Sequence, residues 1–312
     1  MKVSLRPEDA QVELFQFLEV WANRSPAVDQ KLFSPTVTLS SGHRGNALGR
    51  ADVINHLHSE FTGLSGVDIQ ATNIRVTATE REALVSAYFH GKAEGASSAD
   101  EVATVLFGGV LIVEIGDDSG ARRIQTIRVQ TQWAEGSVEL LGGWSLPQMK
   151  RQWRPGDPAS VIVSELDAPW HRTGHASVLP TDEDAIADAW FRYAWALDQA
   201  DFALLTDVFT EGAEAELPPM GHLRGQRTLI ATLKAFRQPW PWMKHYGTPI
   251  AIDLSSDRST ADLVIARIMP GQTETEEGKP LFGAHYRIKA ERGPDARWRI
   301  SRMQYIPGWI TA

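Results

Sequence analysis

An α+β fold, written twice along the chain, is what this sequence predicts, and three observations carry the prediction. The length of 312 residues suits two domains. Sliding the chain on itself brings out one register, at an offset of 176 residues, that holds from about residue 30 to 133. Within each copy helical periodicity comes first and strand-like runs follow, so helices should pack on one face of a curved antiparallel sheet.

The register rests on particular residues. Lys31-Leu32-Phe33-Ser34 falls on Asp207-Val208-Phe209-Thr210, Gly45 on Gly221, Gly49 on Gly225, Ile54 on Ile230 and Leu57 on Leu233. Near the ends Arg123-Ile124 falls on Arg299-Ile300 and Trp133 on Trp309. The expected division is therefore a first domain over 1–146, a Pro-rich linker over 147–180 and a second domain over 181–312. In that linker Pro155, Gly156, Pro158, Pro169 and Gly174 interrupt any periodicity. His171 and His175 stand four residues apart there, but Pro169 and Gly174 argue against a helix that could aim both at a metal.

The second copy shows its elements more clearly. Thr181-Asp182-Glu183-Asp184 resembles a capping box opening a helix. Ile186, Trp190, Tyr193 and Leu197 follow at helical spacing, and Phe202–Phe209 reads as a second short helical piece. Ala213–Leu217 reads as a strand, Gly221–Gly225 as a turn and Thr228–Phe236 as an amphipathic helix. Strands are predicted over Thr248–Leu254, Ala261–Ile268, Leu281–Ala290 and Arg297–Tyr305, with Arg292-Gly293-Pro294-Asp295 turning between the last two.

Composition removes several function classes. There are no cysteines, which excludes thiol catalysis, disulfides and Cys-ligated metal. A formal charge of −8 without a dense basic cluster argues against a nucleic-acid partner. No apolar run is long enough to span a membrane and the first residues lack a signal-like apolar region, so the expectation is a cytoplasmic protein. Walker, Gly-x-Gly-x-x-Gly, His-Glu-x-x-His and Gly-x-Ser-x-Gly motifs are absent. His222 and His285 could join His245 around a metal, but no carboxylate spacing supports it, and no metal is expected.

Arg192-Tyr193-Ala194-Trp195-Ala196-Leu197-Asp198, followed by Leu204-Leu205 and Val208-Phe209-Thr210, resembles the first helices of SnoaL-like proteins. Gly221–Gly225 before a helix and the closing Ala296-Arg297-Trp298-Arg299-Ile300-Ser301-Arg302 are similar to the same family. The resemblance covers most of 181–312 and extends more weakly to about 8–145 through the repeat. It implies two tandem cone-shaped α+β barrels of the nuclear transport factor 2 superfamily, each around a deep pocket and working without a cofactor. Within the superfamily the site spacing resembles the dehydratase and dehydrochlorinase group that includes scytalone dehydratase and bile-acid 7α-dehydratase. On that resemblance Asp198 pairs with His245, 47 residues later, Tyr193 lies five residues before the Asp, and Arg302 is the matching arginine of the last strand.

The residues suit that chemistry. Trp190, Ala194 and Asp198 step by four, which puts the carboxylate on a core-facing stripe where it needs a partner. An imidazole supplies one, and the carboxylate in turn orients the ring and stabilises the imidazolium formed on proton capture. Trp190, Trp242, Tyr246 and Tyr286 are the candidate substrate-binding residues, aromatics that would favour a small apolar cyclic or aromatic molecule. The sequence also allows plainer roles: Asp198 could cap the next helical piece together with Asp201, Tyr193 and the tryptophans could be core, and Arg302 could form a surface ion pair. The functions that fit are a cofactor-independent lyase, a ketosteroid-isomerase-like double-bond isomerase or a non-catalytic binder.

In the first copy Asp198 falls on Ala22, His245 on Ile69, Tyr193 on Phe17 and Arg302 on Thr126. The histidines His43, His56, His58 and His90 have no acidic neighbour at matching spacing, and nothing pairs with Glu19. The expectation is a degenerate, apolar-centred scaffold that forms an internal pseudo-dimer with its twin, with further homo-oligomer assembly left open.

Overall fold

The computed structural model describes residues 7–22, 29–79, 81–96, 102–118, 120–146, 159–172, 181–240 and 243–311. The chain divides into two units, Met1–Leu179 and Pro180–Ala312. The fold is α+β in two tandem domains.

The first unit holds α1 (Pro7–Trp21), α2 (Asp29–Leu32), β1 (Phe33–Ser41), β2 (Gly45–Leu48), α3 (Arg50–Glu60), β3 (Ser65–Ala78), β4 (Glu82–Ala96), β5 (Val102–Asp118) and β6 (Ala121–Gly136). It ends in two single-turn helices, α4 (Ser164–Asp167) and α5 (Pro169–Arg172). The second unit holds α6 (Asp182–Asp198), α7 (Phe202–Leu205), β7 (Phe209–Leu217), β8 (Gly221–Arg224), α8 (Gln226–Arg237), β9 (Gly247–Leu254), β10 (Thr260–Arg267), β11 (Leu281–Arg292) and β12 (Trp298–Thr311). The sheet orders are β2-β1-β6-β5-β4-β3 and β8-β7-β12-β11-β10-β9, the same topology twice.

The repeat register has a structural cause. β1 and β7, β2 and β8, and α3 and α8 begin at positions that differ by the same 176 residues. Gly49 and Gly225 precede their helices at φ 85° and 86°, a left-handed conformation that costs a residue with a side chain about 1 kcal/mol or more. Ile124 pairs with Phe33 and Ile300 with Phe209, all four buried, so the matched dipeptides close equivalent parts of the two sheets.

Three local expectations are corrected. Both sheets are mixed, because β1 runs parallel to β6 and β7 parallel to β12. Such pairing joins strands far apart in sequence, which local periodicity does not encode. Gly221–Arg224 is a short strand paired with β7, not merely a turn. The helical piece from Phe202 stops at Leu205, and Phe209 already opens β7, packing as strand core. Of the stretch 147–180, only 159–172 is described, and His175 lies outside it. Two four-residue helices form there, Pro169 standing at a first helical position, where its missing N–H leaves nothing unpaired. They dock on the first sheet through Asp167 on Arg128 (2.8 Å), Arg172 on Glu114 and the Arg75 guanidinium over the Trp170 ring.

In the second unit α6 packs against β9 and β12, and α8 against β7. The Thr181 hydroxyl accepts from the Asp184 amide at 3.1 Å, and three acidic residues fill the first turn, where the helix dipole favours them. Ile186, Trp190, Leu205, Leu229, Ile265, Ile300 and Met303 form the core. Truncating a buried tryptophan such as Trp190 to alanine typically costs about 3–5 kcal/mol. Asp201, not Asp198, caps α7: its carboxylate accepts the Leu204 amide at 2.9 Å. Asp198 is thereby left to another partner.

Candidate active site

α6 ends at Asp198, and its last carbonyls point at cations. Arg237 donates to the carbonyls of Leu197 (3.1 Å), Asp198 (2.9 Å) and Trp240 (2.8 Å), and Lys244 donates to the Asp198 carbonyl at 3.3 Å. These bonds satisfy orphan carbonyls and place positive charge at the negative end of the helix dipole. They also fix the segment before β9, bringing His245 over the end of α6.

There the Asp198 Oδ1 lies 2.7 Å from His245 Nδ1, and Oδ2 accepts the His245 backbone amide at 2.6 Å. The Asp198 side chain is fully buried and that of His245 is 5% exposed. Burial alone would raise the Asp198 carboxyl, but the imidazole, its hydrogen bonds and Lys244 outweigh it and hold the group below its usual value. Burial pushes His245 down, Asp198 opposes, and Arg267 and Arg237 add to the lowering. The resting pair is thus an ionised carboxylate and a neutral imidazole. An ionised carboxylate only accepts, so Nδ1 carries the hydrogen and Nε2 the lone pair. Lys244 is lowered to about 8 by burial, partly offset by Asp198.

His245 forms part of the wall of a cavity of about 210 Å³. Tyr193, Tyr286, Tyr305 and Arg267 line it with Leu197, Leu217, Leu233, Phe236 and Met243. The Tyr193 ring meets His245 edge-on at 5.6 Å, and the Tyr193 and Tyr286 hydroxyls are hydrogen-bonded to each other. Burial raises both phenols above their usual value, so both remain protonated donors.

The predicted residues divide as follows. Asp198, His245, Tyr193 and Tyr286 come together. Trp190 is fully buried in the core, its ring so close to Gly247 that a Cβ there would lie 2.5 Å from it. Tyr246 is buried outside the cavity, where its carbonyl accepts from Arg267 at 3.2 Å. Trp242 lies outside the described residues. Arg302 is corrected: a bulge between Ile300 and Arg302 turns Met303 inward and leaves Arg302 exposed in a surface groove with Asp253, Arg287 and Lys289. Two arginines do line the cavity, Arg237 of α8, which is engaged by the carbonyls at the end of α6, and Arg267 of β10. No motif marks it; the signal available was its place at the inner end of a predicted strand ahead of a turn. Among the described residues no three His, Cys, Asp or Glu side chains converge as metal ligands.

The first unit holds a second correction. Phe17, Ala22 and Ile69 are buried as expected, yet the interior is not purely apolar. Glu60, at the end of α3, accepts from Trp21 Nε1 at 2.7 Å and lies 3.1 Å from His43 Nε2. The other His43 nitrogen faces Thr131 at 2.8 Å and Ser41 at 3.1 Å. Trp144 covers the imidazole at 3.9 Å between centroids. His43 and Glu60 approach through the fold, 17 residues apart, a spacing without counterpart in the second copy. By the repeat register Trp21, His43 and Glu60 stand where Leu197, Pro219 and Phe236 stand in the second unit, and of these Leu197 and Phe236 line its cavity.

Residues 180–304 match the family model of the SnoaL-like domain. The second unit carries a SnoaL-like domain. Solved structures similar to the chain include the Kfla4162 protein of Kribbella flavida, at 14% identity and a TM-score of 0.38, over 44% of this chain and 97% of that one. A nuclear transport factor 2-like superfamily protein from Salmonella enterica is 12% identical, TM-score 0.33, over 42% and 89%. An NTF2-like protein with a cystatin-like fold from Novosphingobium aromaticivorans is 19% identical, TM-score 0.30, over 40% and 81%. No curated protein matches the chain. No described helix of either unit is long and apolar enough to cross a membrane.

Proposed function

We propose that the SnoaL-like unit is a lyase that eliminates water, or a similar small group, from a small cyclic molecule. The observation that carries the reading is the Asp198–His245 pair, buried in the wall of a largely apolar cavity with a neutral imidazole. His245 removes the proton from a carbon made acidic by a neighbouring carbonyl. The C–H electrons become the new double bond, the C–O bond breaks, and the departing hydroxide takes a proton from Tyr193 or water and leaves as water. Asp198 stabilises the imidazolium, which then releases its proton to solvent or to the phenolate. A positioned general base of this kind contributes about 10²–10⁴-fold.

Cavity size limits the substrate. A cavity of about 150 Å³ holds a benzene-sized ring, so about 210 Å³ suits one ring with a substituent and is small for a steroid. The test is a screen of cyclic β-hydroxy carbonyl compounds by mass spectrometry, with His245→Ala as control. Elimination loses mass whereas a double-bond shift does not. Wild-type turnover in His245→Ala would remove the mechanism.

A further inference from the structure

We infer that the cavity selects an anion, so that the substrate is a small apolar ring carrying one carboxylate seated against Arg267. The inference rests on the lyase reading for the word substrate, but binding of the acid does not depend on turnover.

Arg267 is held by neutral oxygens: Nη2 donates to the Lys244 carbonyl at 2.7 Å, Nε to the Tyr246 carbonyl at 3.2 Å and one Nη1 hydrogen to the Tyr286 hydroxyl at 3.4 Å. Among the described residues no carboxylate forms an ion pair with it. A guanidinium has five N–H donors in a rigid fork, so two remain after those three bonds. The head lines the cavity, half-buried, close enough to Tyr193, Tyr286 and His245 to act on the charge of each. Arg237 also lines the cavity, its guanidinium already donating to the Leu197, Asp198 and Trp240 carbonyls, and the nearby carboxylate, Asp198, has both oxygens engaged by His245. The cavity therefore presents a surplus of positive charge and two protonated phenols over an otherwise aliphatic and aromatic lining. A neutral ligand covering the half-buried guanidinium would take water from its two remaining donors without replacing the charge, while a carboxylate meets them with charge-assisted bonds. Leu197, Leu217 and Leu233, which also line the cavity, supply apolar surface for the ring.

The test compares cyclohexanecarboxylate with cyclohexanecarboxamide, and benzoate with benzamide, by ligand-observed NMR titration of the full chain. These pairs keep shape and change charge. The wild type is expected to hold each acid at least tenfold more tightly than its amide. Arg267→Gln should reduce that preference to under threefold with amide affinity unchanged, and Arg267→Lys should lie between, keeping charge while losing the fork. Equal acid and amide affinity in the wild type, including no acid binding at millimolar concentration, would overturn the inference. So would a loss of amide affinity in both variants equal to the loss of acid affinity, because the arginine would then only shape the cavity. His245→Gln separates the two readings. Retained turnover there defeats the lyase and leaves anion selection standing, whereas absent acid preference defeats anion selection and leaves the lyase with a neutral substrate.

Discussion

Both oxygens of the Asp198 carboxylate serve His245, one at the ring Nδ1 (2.7 Å) and one at the backbone amide (2.6 Å). The carboxylate thus holds the imidazole by its ring and by its main chain together, setting both tautomer and ring position. Asp198→Asn should separate these roles. An asparagine oxygen can still accept the backbone amide, but its NH₂ then faces Nδ1 and favours the tautomer whose hydrogen sits on Nε2, the wrong one for a base. The proposed turnover should fall about 10²–10⁴-fold in kcat with the fold kept, as read by steady-state kinetics beside circular dichroism. Asp201→Ala removes a helix cap instead, and should cost about 1 kcal/mol of stability with kcat little changed.

Acid should switch the site off at a pH below the ordinary histidine value. His245 is held under 6.5 by burial, with Arg267 and Arg237 contributing, so kcat/KM should fall only as pH drops through that lowered value. Removing a positive charge raises a neighbouring imidazole, so Arg267→Gln should move the acid limb toward 6.5. A pH–rate profile in which the variant's limb moves down, or stays put, would contradict this electrostatic account.

Acid should also weaken the first unit. His90, in β4, is lowered to about 4 by burial, with Asp68 opposing. Between 6.5 and 4 the unfolded chain binds the proton and the folded one does not, so stability falls as pH falls across that window. For this one group the loss reaches about 3 kcal/mol in all. Chemical denaturation across pH should show it in the wild type and much reduced in His90→Gln.

Glu60→Gln probes the polar cluster of the first unit. The substitution keeps an acceptor for Trp21 but removes the charge beside His43, in a site where the Glu60 side chain is 1% exposed. A loss of about 1–3 kcal/mol is expected by denaturant unfolding. Turnover measured where both units remain folded should not change, and a matching fall in kcat would show that the first unit takes part in the reaction.

Cavity size can be tuned from α8. Leu233 is fully buried, and Leu233→Ala should cost about 2–5 kcal/mol. Phe236 is only half-buried in the same wall, so Phe236→Ala should cost less stability and shift preference toward two-ring molecules. Competitive binding of one-ring and two-ring acids measures the shift.

Much of this architecture was written in local pattern. The capping residue Thr181, the stripe Ile186–Trp190–Tyr193–Leu197 and the glycines at 49 and 225 are signals that act over a few residues, and each stands where its spacing places it. Asp198 was legible as a carboxylate needing a partner, because helical spacing alone puts it on the buried stripe. Arg302 misled because a single bulge in β12 decides which face a strand residue occupies, and a bulge leaves no mark in alternation.

Residue order alone is enough to read two copies of an α+β module, the absence of thiol chemistry and an acid and an imidazole 47 residues apart in one copy. Tertiary structure decided what meets what: Arg267 with Tyr286 across β10 and β11, Glu60 with His43 beneath Trp144, and β1 beside β6 in parallel. The physical reason is one of range. Caps, turns and periodic stripes follow from bonds within a few residues, whereas the content of a cavity depends on strand register and bulges, which are settled only when the whole sheet closes.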